Sequence, residues 1–519
     1  AQGYRFYQSS YDEDLEGSWL SVNYDPWGTG ITYTGFCLMG LGCLLLLCAR
    51  DGGFRRLLRH PLIRKGGLFL IALFWGCQLK ADPALPVVKR VQADSLAIQQ
   101  VVYNDRVAPF NTLARDFIQK IYGRPSFHGI TPEQVVSSWM LYPEEWNRTP
   151  IIRIKNQELR TALGLKEEYA SLNHLFDGTQ YKLQPLWQRE QGNRSKLAQA
   201  IQETDEKVGL ILMLRQGTLV RPLPPDVTPL STQKVNAELW YNRIPFSKIL
   251  FMVNLTLGFA AFGLFMFRML TNRKEKAVSR RVWGTALCLT TLFHATGYAL
   301  RGYIRGGFPL SNGYETMQFV ALAVLLTACL LQRRFPFTRP FGFLLSGFTL
   351  LVAYLGEMNP QITPLMPVLA SPWLSWHVSL IMISYGLFAF TFLNGILALC
   401  LIGKQKNTAS PITGEQIEQL TLLSRLLLYP GTFLLGIGIV LGAVWANVSW
   451  GSYWSWDPKE VWALAAFIIY GISFHRKSLP YFQRPWLFHG YMIFAFAVVL
   501  MTYFGVNYLL GGMHSYANS

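Results

Sequence analysis

The chain has 519 residues, of which 51% are hydrophobic and only 15% charged, with 16 Trp, 24 Tyr and 34 Phe. A water-soluble chain carries about 25% charge, so disorder, a collagen-like fibre and an ordinary cytosolic enzyme are excluded. On so apolar a chain the formal net charge of +17 marks the cytoplasmic loops of a membrane protein rather than a nucleic-acid surface.

A bilayer core needs about 20 apolar residues as helix. Ten stretches meet or approach that length: 32–49, 66–80, 247–268, 282–300, 315–332, 341–356, 376–402, 427–446, 460–474 and 487–508. The second and ninth are short. The stretch 66–80 follows Arg64 and Lys65 and resembles a signal-peptide core lying internally, as if two genes had been joined end to end. Alternate short connections carry 21 Lys and Arg in total, and the short segments on the opposite side carry only Arg5, Arg301, Arg305 and Lys459. Positive charge stays inside, which predicts both termini outside the cytoplasm. The expected fold is an α-helical polytopic membrane protein of about ten transmembrane helices. The long polar connection 81–246 forms one extracytoplasmic, mainly helical soluble domain. Within it Thr131-Pro132-Glu133-Gln134 reads as a capping-box helix start. The seven Cys form no CxxC pair and no CxxCH, so they read as small apolar packing residues.

The chemistry concentrates between spans eight and nine. Trp445, Trp450, Trp454, Trp456 and Trp462 fall within 18 residues, together with Gly451, Asp457, Pro458 and Lys459. Interfacial belts also use Trp, but a belt scatters its aromatics over many helix ends. A bent loop at 445–462 crowded with indoles suits a flat apolar macrocycle with a polar edge. His377, in Trp376-His377, and His514, in Gly512-Met513-His514, are predicted at the same outer face. Two imidazoles flanking an aromatic plate fit axial ligation of a haem iron, although a lone interfacial His is ordinarily just solvated. His475 sits at the inner end of span nine, where it also reads as one more cytoplasmic-side cation. His294 lies inside span four, either functional or bonded to a backbone carbonyl. Arg301 and Arg305 are candidate partners for a carboxylate such as a haem propionate, or else solvated loop residues. Asp457 would orient the loop or an imidazole, or simply cap a helix.

The run Trp450-Gly-Ser-Tyr-Trp454-Ser-Trp456-Asp457-Pro458-Lys459-Glu460-Val-Trp462 resembles the WWD signature of the CcsA proteins of system II cytochrome c synthesis. Phe504-Gly-Val-Asn507 through His514, Trp376-His377-Val and Ser311-Asn-Gly-Tyr-Glu315 resemble the family's other landmarks. This resemblance covers 247–519. The first 65 residues, in Tyr4-Arg-Phe-Tyr-Gln-Ser-Ser-Tyr-Asp and Asp25-Pro-Trp-Gly, resemble the C-terminal end of the CcsB (ResB-like) partner. The whole looks like a CcsBA fusion lacking most of its CcsB half.

The resemblance implies a holocytochrome c synthase of the bacterial plasma membrane. Such a protein carries haem b outward and joins its vinyl groups to the CxxCH cysteines of apocytochrome c. It implies that His377 and His514 are the external haem ligands and that His475 belongs to an inner haem-entry site. The second ligand of that inner site would come from a CcsB-like partner or from the absent segment. Thiol-reducing proteins that keep the apocytochrome reduced are further implied partners. The rival readings are a haem exporter or assembly subunit without thioether-forming activity, and a quinone-linked electron carrier.

Overall fold

The computed structural model describes residues 5–11, 18–24, 26–48, 54, 85–178, 180–190, 192, 195–271, 273, 275–356, 358–363, 371–407 and 411–510. At the N-terminus β1 (Arg5–Tyr11) and β2 (Ser18–Asn23) pair antiparallel, with Arg5 opposite Asn23. The helix α1 (Pro26–Cys48) follows, its proline at the first helical position, where a missing N–H costs nothing. It turns Ile31, Leu38 and Leu45 outward, as a helix in lipid does. The expected span 66–80 lies outside the described residues.

Residues 85–245 hold a core of their own. The strands β3 (Gln100–Tyr103) and β4 (Arg106–Pro109) form a hairpin. Asn104 and Asp105 turn it at φ of 50° and 54°, a left-handed region these short polar side chains tolerate. The longest of its helices are α2 (Phe110–Tyr122), α3 (Pro132–Leu141), α4 (Lys196–Arg215) and α5 (Thr232–Arg243). The capping box expected at Thr131 is present. Gln134 N–H donates to Thr131 Oγ1, and Thr131 N–H donates to Gln134 Oε1. Trp139 and Trp146 stack 5.9 Å apart in the core. Their indole N–H groups donate to Asn147 Oδ1 and to the Pro86 carbonyl, so burial leaves neither unsatisfied. The short strands of this segment are an addition to the helical character expected.

The remainder is a helix bundle: α6 (Phe246–Leu270), α7 (Ala277–Arg305), α8 (Gly313–Leu331), α9 (Thr338–Leu355), α10 (Pro372–Asn407), α11 (Pro411–Trp450), α12 (Pro458–Ile472) and α13 (Pro485–Leu500). The last runs on as a π-helix over Met501–Leu510. Among the described residues seven helices are long and apolar enough to cross a membrane, against ten expected spans. Two expected spans form helices outside those seven. α7 is diluted by Thr285, Thr290, Thr291, His294 and Thr296. α12 has only 15 residues, about 22 Å of rise.

Glycines bring α10 and α11 together. A Cβ at Gly431 would lie 2.7 Å from Phe388 Cε1, and one at Gly438 would lie 2.6 Å from Ile381 Cδ1. Small residues matter here because lipid supplies no hydrophobic drive between helices, leaving close packing to hold them.

The segment 85–245 meets the bundle through the loop between α9 and α10. Arg106 places both terminal nitrogens on the Glu238 carboxylate and donates from Nε to the Ile362 carbonyl at 2.9 Å. Asn104 Nδ2 donates to Gln361 Oε1 at 3.2 Å, and Gln361 Nε2 donates to Tyr103 Oη at 3.3 Å. From the bundle side Arg301 donates to the carbonyls of Pro360 and Gln361 at 2.7 and 2.9 Å. Its Nε donates to Glu315 at 2.7 Å, and Arg305 reaches the same carboxylate at 2.9 Å. The loop is thus gripped from both sides.

Two predictions follow from this clamp. Glu315→Ala strands two guanidiniums in the interior, so it should cost about 3–5 kcal/mol, read as lowered thermal stability of the purified chain. Burial, opposed by Arg115 and Arg106, pushes the Asp116 carboxyl up to about 6. A carboxylic acid with a raised folded pKa leaves the folded state holding the extra proton. Stability at this junction should therefore fall as pH rises from about 4 through about 6, by on the order of 2–3 kcal/mol, and level off above. Hydrogen exchange of 101–106 and 359–362, corrected for intrinsic rate, should quicken over that window, and Asp116→Asn should flatten the response.

Candidate functional site

The Trp-rich run begins as helix, not loop. α11 continues to Trp450, the chain turns through Gly451 at φ 79°, and α12 starts at Pro458. Asp457 is the N-cap of α12. Its carboxylate accepts the Lys459 N–H at 2.9 Å, and Glu460 reaches back to accept the N–H of Asp457 at 3.2 Å and of Ser455 at 2.9 Å. The sequence Asp-Pro-Lys-Glu is therefore a capping box with proline at the first helical position. Trp456, one residue earlier, is held at φ 58° and is 74% exposed. A bulky residue in the left-handed region is strained by about 1–3 kcal/mol, and the capped helix start holds it there.

The five indoles separate into layers. Trp445 is 1% exposed and meets Trp450 edge-on, with ring centres 4.7 Å apart. Trp454 and Trp456 meet edge-on at 6.1 Å, and Trp462 packs on the core of α12 and α13. Trp445 was expected in a ligand cradle; its burial makes it the floor beneath that surface instead. Trp450, Trp454, Trp456 and Trp462 all keep accessible area, and Trp445 alone of the five does not.

His377 lies at this same end, in the second turn of α10. Its Nδ1 sits 2.6 Å from the Gly438 carbonyl of α11. A carbonyl only accepts, so Nδ1 carries the proton and the lone pair is on Nε2, the form in which imidazole binds a metal. A Cβ at Gly442 would lie 2.6 Å from His377 Cε1; that glycine makes room for the ring. Gly442 precedes Trp445 by one turn, about 5 Å along α11.

His514 lies outside the described residues. His475 follows the far end of α12, about 22 Å from the Trp loop. It is exposed, with Nδ1 3.3 Å from the Gly471 carbonyl. It cannot share an iron atom with His377. Arg301 and Arg305 depart from the expectation of propionate partners. Both guanidiniums are engaged by Glu315, and Arg301 is 1% exposed and also holds the carbonyls of 360 and 361.

The N-terminal part of the chain touches both ends. Tyr33 and Phe36 meet Tyr453 of the Trp loop edge-on, each at 6.1 Å. Beyond the other end of α1 Phe54 lies 5.7 Å from Tyr429, which lies 4.7 Å from Phe474, the neighbour of His475. Two further histidines were given no settled role by the sequence and prove fully buried. His489 Nε2 is 2.9 Å from Thr421 Oγ1, whose own proton goes to the Ile417 carbonyl. His294 is packed inside α7. A lone His in an apolar run was the only available signal for either.

The chain matches the cytochrome c assembly protein family over residues 310–514. It is 32% identical to protein NrfI of Wolinella succinogenes, the match taking in 99% of this chain and 66% of NrfI. It is 33% identical to the cytochrome c biogenesis protein CcsA of a Synechococcus strain, covering 50% of this chain and 94% of that protein. It is 34% identical to CcsA of Chlamydomonas reinhardtii, covering 48% of this chain and 70% of that protein. The chain belongs to the CcsA family of cytochrome c biogenesis proteins. The NrfI match also takes in the part preceding the CcsA-like region, as a CcsBA-type fusion requires, and the chain spans about two thirds of NrfI's length.

Gly442→Ala should displace the His377 ring and break its bond to Gly438. Alanine favours a helix over glycine by about 1 kcal/mol, so any loss cannot come from helix propensity. Haem absorbance retained by the purified chain is expected to fall several-fold, with thermal stability little changed.

Proposed function

We propose that this CcsA-family protein is a holocytochrome c synthase that receives haem b at the His475 end of the bundle and presents it at the Trp end. There it would join the vinyl groups to the CxxCH cysteines of apocytochrome c. The observation that carries the reading is His377. Its ring is seated on the α11 backbone, its tautomer puts the lone pair on Nε2, and accessible Trp residues rise from the same helix end.

In this reading His377 and His514 hold the iron of the haem substrate, Trp450, Trp454 and Trp456 cradle its ring, and Asp457 positions the loop as a helix cap. Each thiol adds across a vinyl double bond: sulfur bonds one carbon, the thiol hydrogen ends on the other, and nothing is released. No leaving group has to be stabilised, so the protein's contribution is positioning. The substrate's own His then displaces one enzyme imidazole. Trp462, also accessible, would extend the platform, and Trp445 would support it from within.

The propionates are left to groups other than Arg301 and Arg305. His475 would serve the inner site with a ligand from a CcsB/ResB-like partner, a reading favoured by Phe54 of the CcsB-like part packing on Tyr429, which in turn meets Phe474 beside His475. The chain would sit in the bacterial plasma membrane with both termini outside the cytoplasm, as the skew of Lys and Arg favours. Thiol-reducing proteins would keep the apocytochrome cysteines ready.

His377→Gly should cut retained haem and covalent cytochrome together, on the order of tenfold or more. Added imidazole should restore both by filling the vacated position. Co-expression of the chain and a CcsB-like partner with a CxxCH substrate separates the synthase from a haem exporter. Haem bound to the chain with no covalent product would leave only export.

A further inference from the structure

The end of the bundle opposite the Trp loop contains a cavity of about 300 Å³ that none of the chemistry above uses. It lies among the ends of α6, α9, α10 and α11. Its wall is apolar, built from Leu264, Phe265, Phe337, Leu397 and Leu401. Its mouth is polar and carries both signs of charge.

On one side Arg268 and Arg339 share a single carboxylate. Arg339 forks onto Glu275 at 2.7 and 3.0 Å, and Arg268 reaches the same group at 3.2 Å while donating to Ser279 Oγ at 2.7 Å. One positive charge is left over, and Arg273 adds another, its guanidinium exposed over the Phe267 ring. On the other side stand Glu415 and Gln416. Gln416 Oε1 is buried and has no hydrogen-bond partner among the described residues. A buried acceptor without a donor is costly, so the cavity calls for a ligand that brings N–H or O–H to that point.

We propose that this pocket binds a phospholipid of the phosphatidylethanolamine class. The phosphate meets Arg273 and the surplus charge of the Arg268–Arg339–Glu275 group, since guanidinium matches phosphate oxygens. The primary ammonium donates to Gln416 Oε1 and faces the Glu415 carboxylate. The start of an acyl chain lies along the apolar wall. Each feature rejects an alternative. A choline headgroup has no N–H for Gln416, a glycerol headgroup brings no cation to Glu415, and free phosphate leaves the apolar wall uncovered. The inference does not depend on the haem chemistry, only on the chain lying in a membrane.

The test uses the full chain in nanodiscs of equal parts phosphatidylethanolamine, phosphatidylglycerol and phosphatidylcholine, followed by native mass spectrometry of the lipid retained on extraction. Phosphatidylethanolamine adducts should exceed phosphatidylcholine adducts by about tenfold. Gln416→Leu should erase most of that preference. Arg273→Glu should lower retention of every phospholipid, with each variant's melting temperature checked against the parent. Equal retention of the three lipids by the parent chain overturns the proposal, as does an unchanged preference in a folded Gln416→Leu variant. Phosphatidylglycerol retained in preference to phosphatidylethanolamine overturns the role given to Glu415. Loss of the adducts to added inorganic phosphate would assign the site to the free anion.

Discussion

The closeness of α10 to α11 governs the Trp end of this molecule. At Gly431, Gly438 and Gly442 the α11 backbone lies bare, and Phe388, Ile381 and His377 of α10 rest on it in turn. Two consequences follow from one contact. The imidazole is fixed as part of helix packing, so it costs no further ordering when a ligand arrives. The Gly438 carbonyl also dictates which nitrogen carries the proton. Because α11 runs unbroken past Gly442 to Trp450, the His377 ring of α10 is seated on the same helix that carries the base of the indole surface.

The loop beyond Trp450 extends that rigidity. Glu460 accepts from the backbone of both Ser455 and Asp457, while Asp457 caps the helix in return. A flexible loop would not hold Trp456 in the left-handed region, because relaxing it would recover about 1–3 kcal/mol. The cap absorbs that strain and keeps a large indole standing out into solvent. Exposure of such a surface is unfavourable in isolation, which fits the proposed role of a platform for a flat apolar partner.

Much of this was legible in the sequence, and the reasons are local. Apolar runs, the Thr131 capping box and the crowding of Trp are short-range patterns; nine of the ten runs form helices among the described residues, and the capping box is present. Arg301 and Arg305 were not legible. Their scarcity among outward cations pointed to a ligand, whereas Glu315, fourteen residues from Arg301, takes both once α7 and α8 pack. Asn312 capping α8 at the Glu315 N–H was the one nearby hint that Glu315 faces inward. Trp445 was misplaced for a related reason. The run reads as one loop, but helix continues through its first six residues, and helical phase turns that indole inward. Cys288 and Cys329, read as packing residues, prove to be neighbours with sulfurs 3.9 Å apart, a relation that no sequence spacing reveals.

The distance between the two ends sets the remaining problem. His377 and His475 are separated by the length of α12, about 22 Å, so no single bound macrocycle spans them and any cargo passing between them has to move. Through lipid alone a dianionic cargo would pay several kcal/mol for each charge carried into hydrocarbon. A protein-lined route removes that penalty only if it is closed along its length. α1 meets the Trp loop through Tyr33 and Phe36, and Phe54 beyond its other end meets Tyr429, which in turn packs on Phe474 beside His475. The N-terminal part of the chain therefore touches the bundle near both ends, through α1 at the Trp loop and through Phe54 at Tyr429. Under the proposed function this would give the joining of the two parts a physical reason: one polypeptide would hold the contacts at the two ends in register.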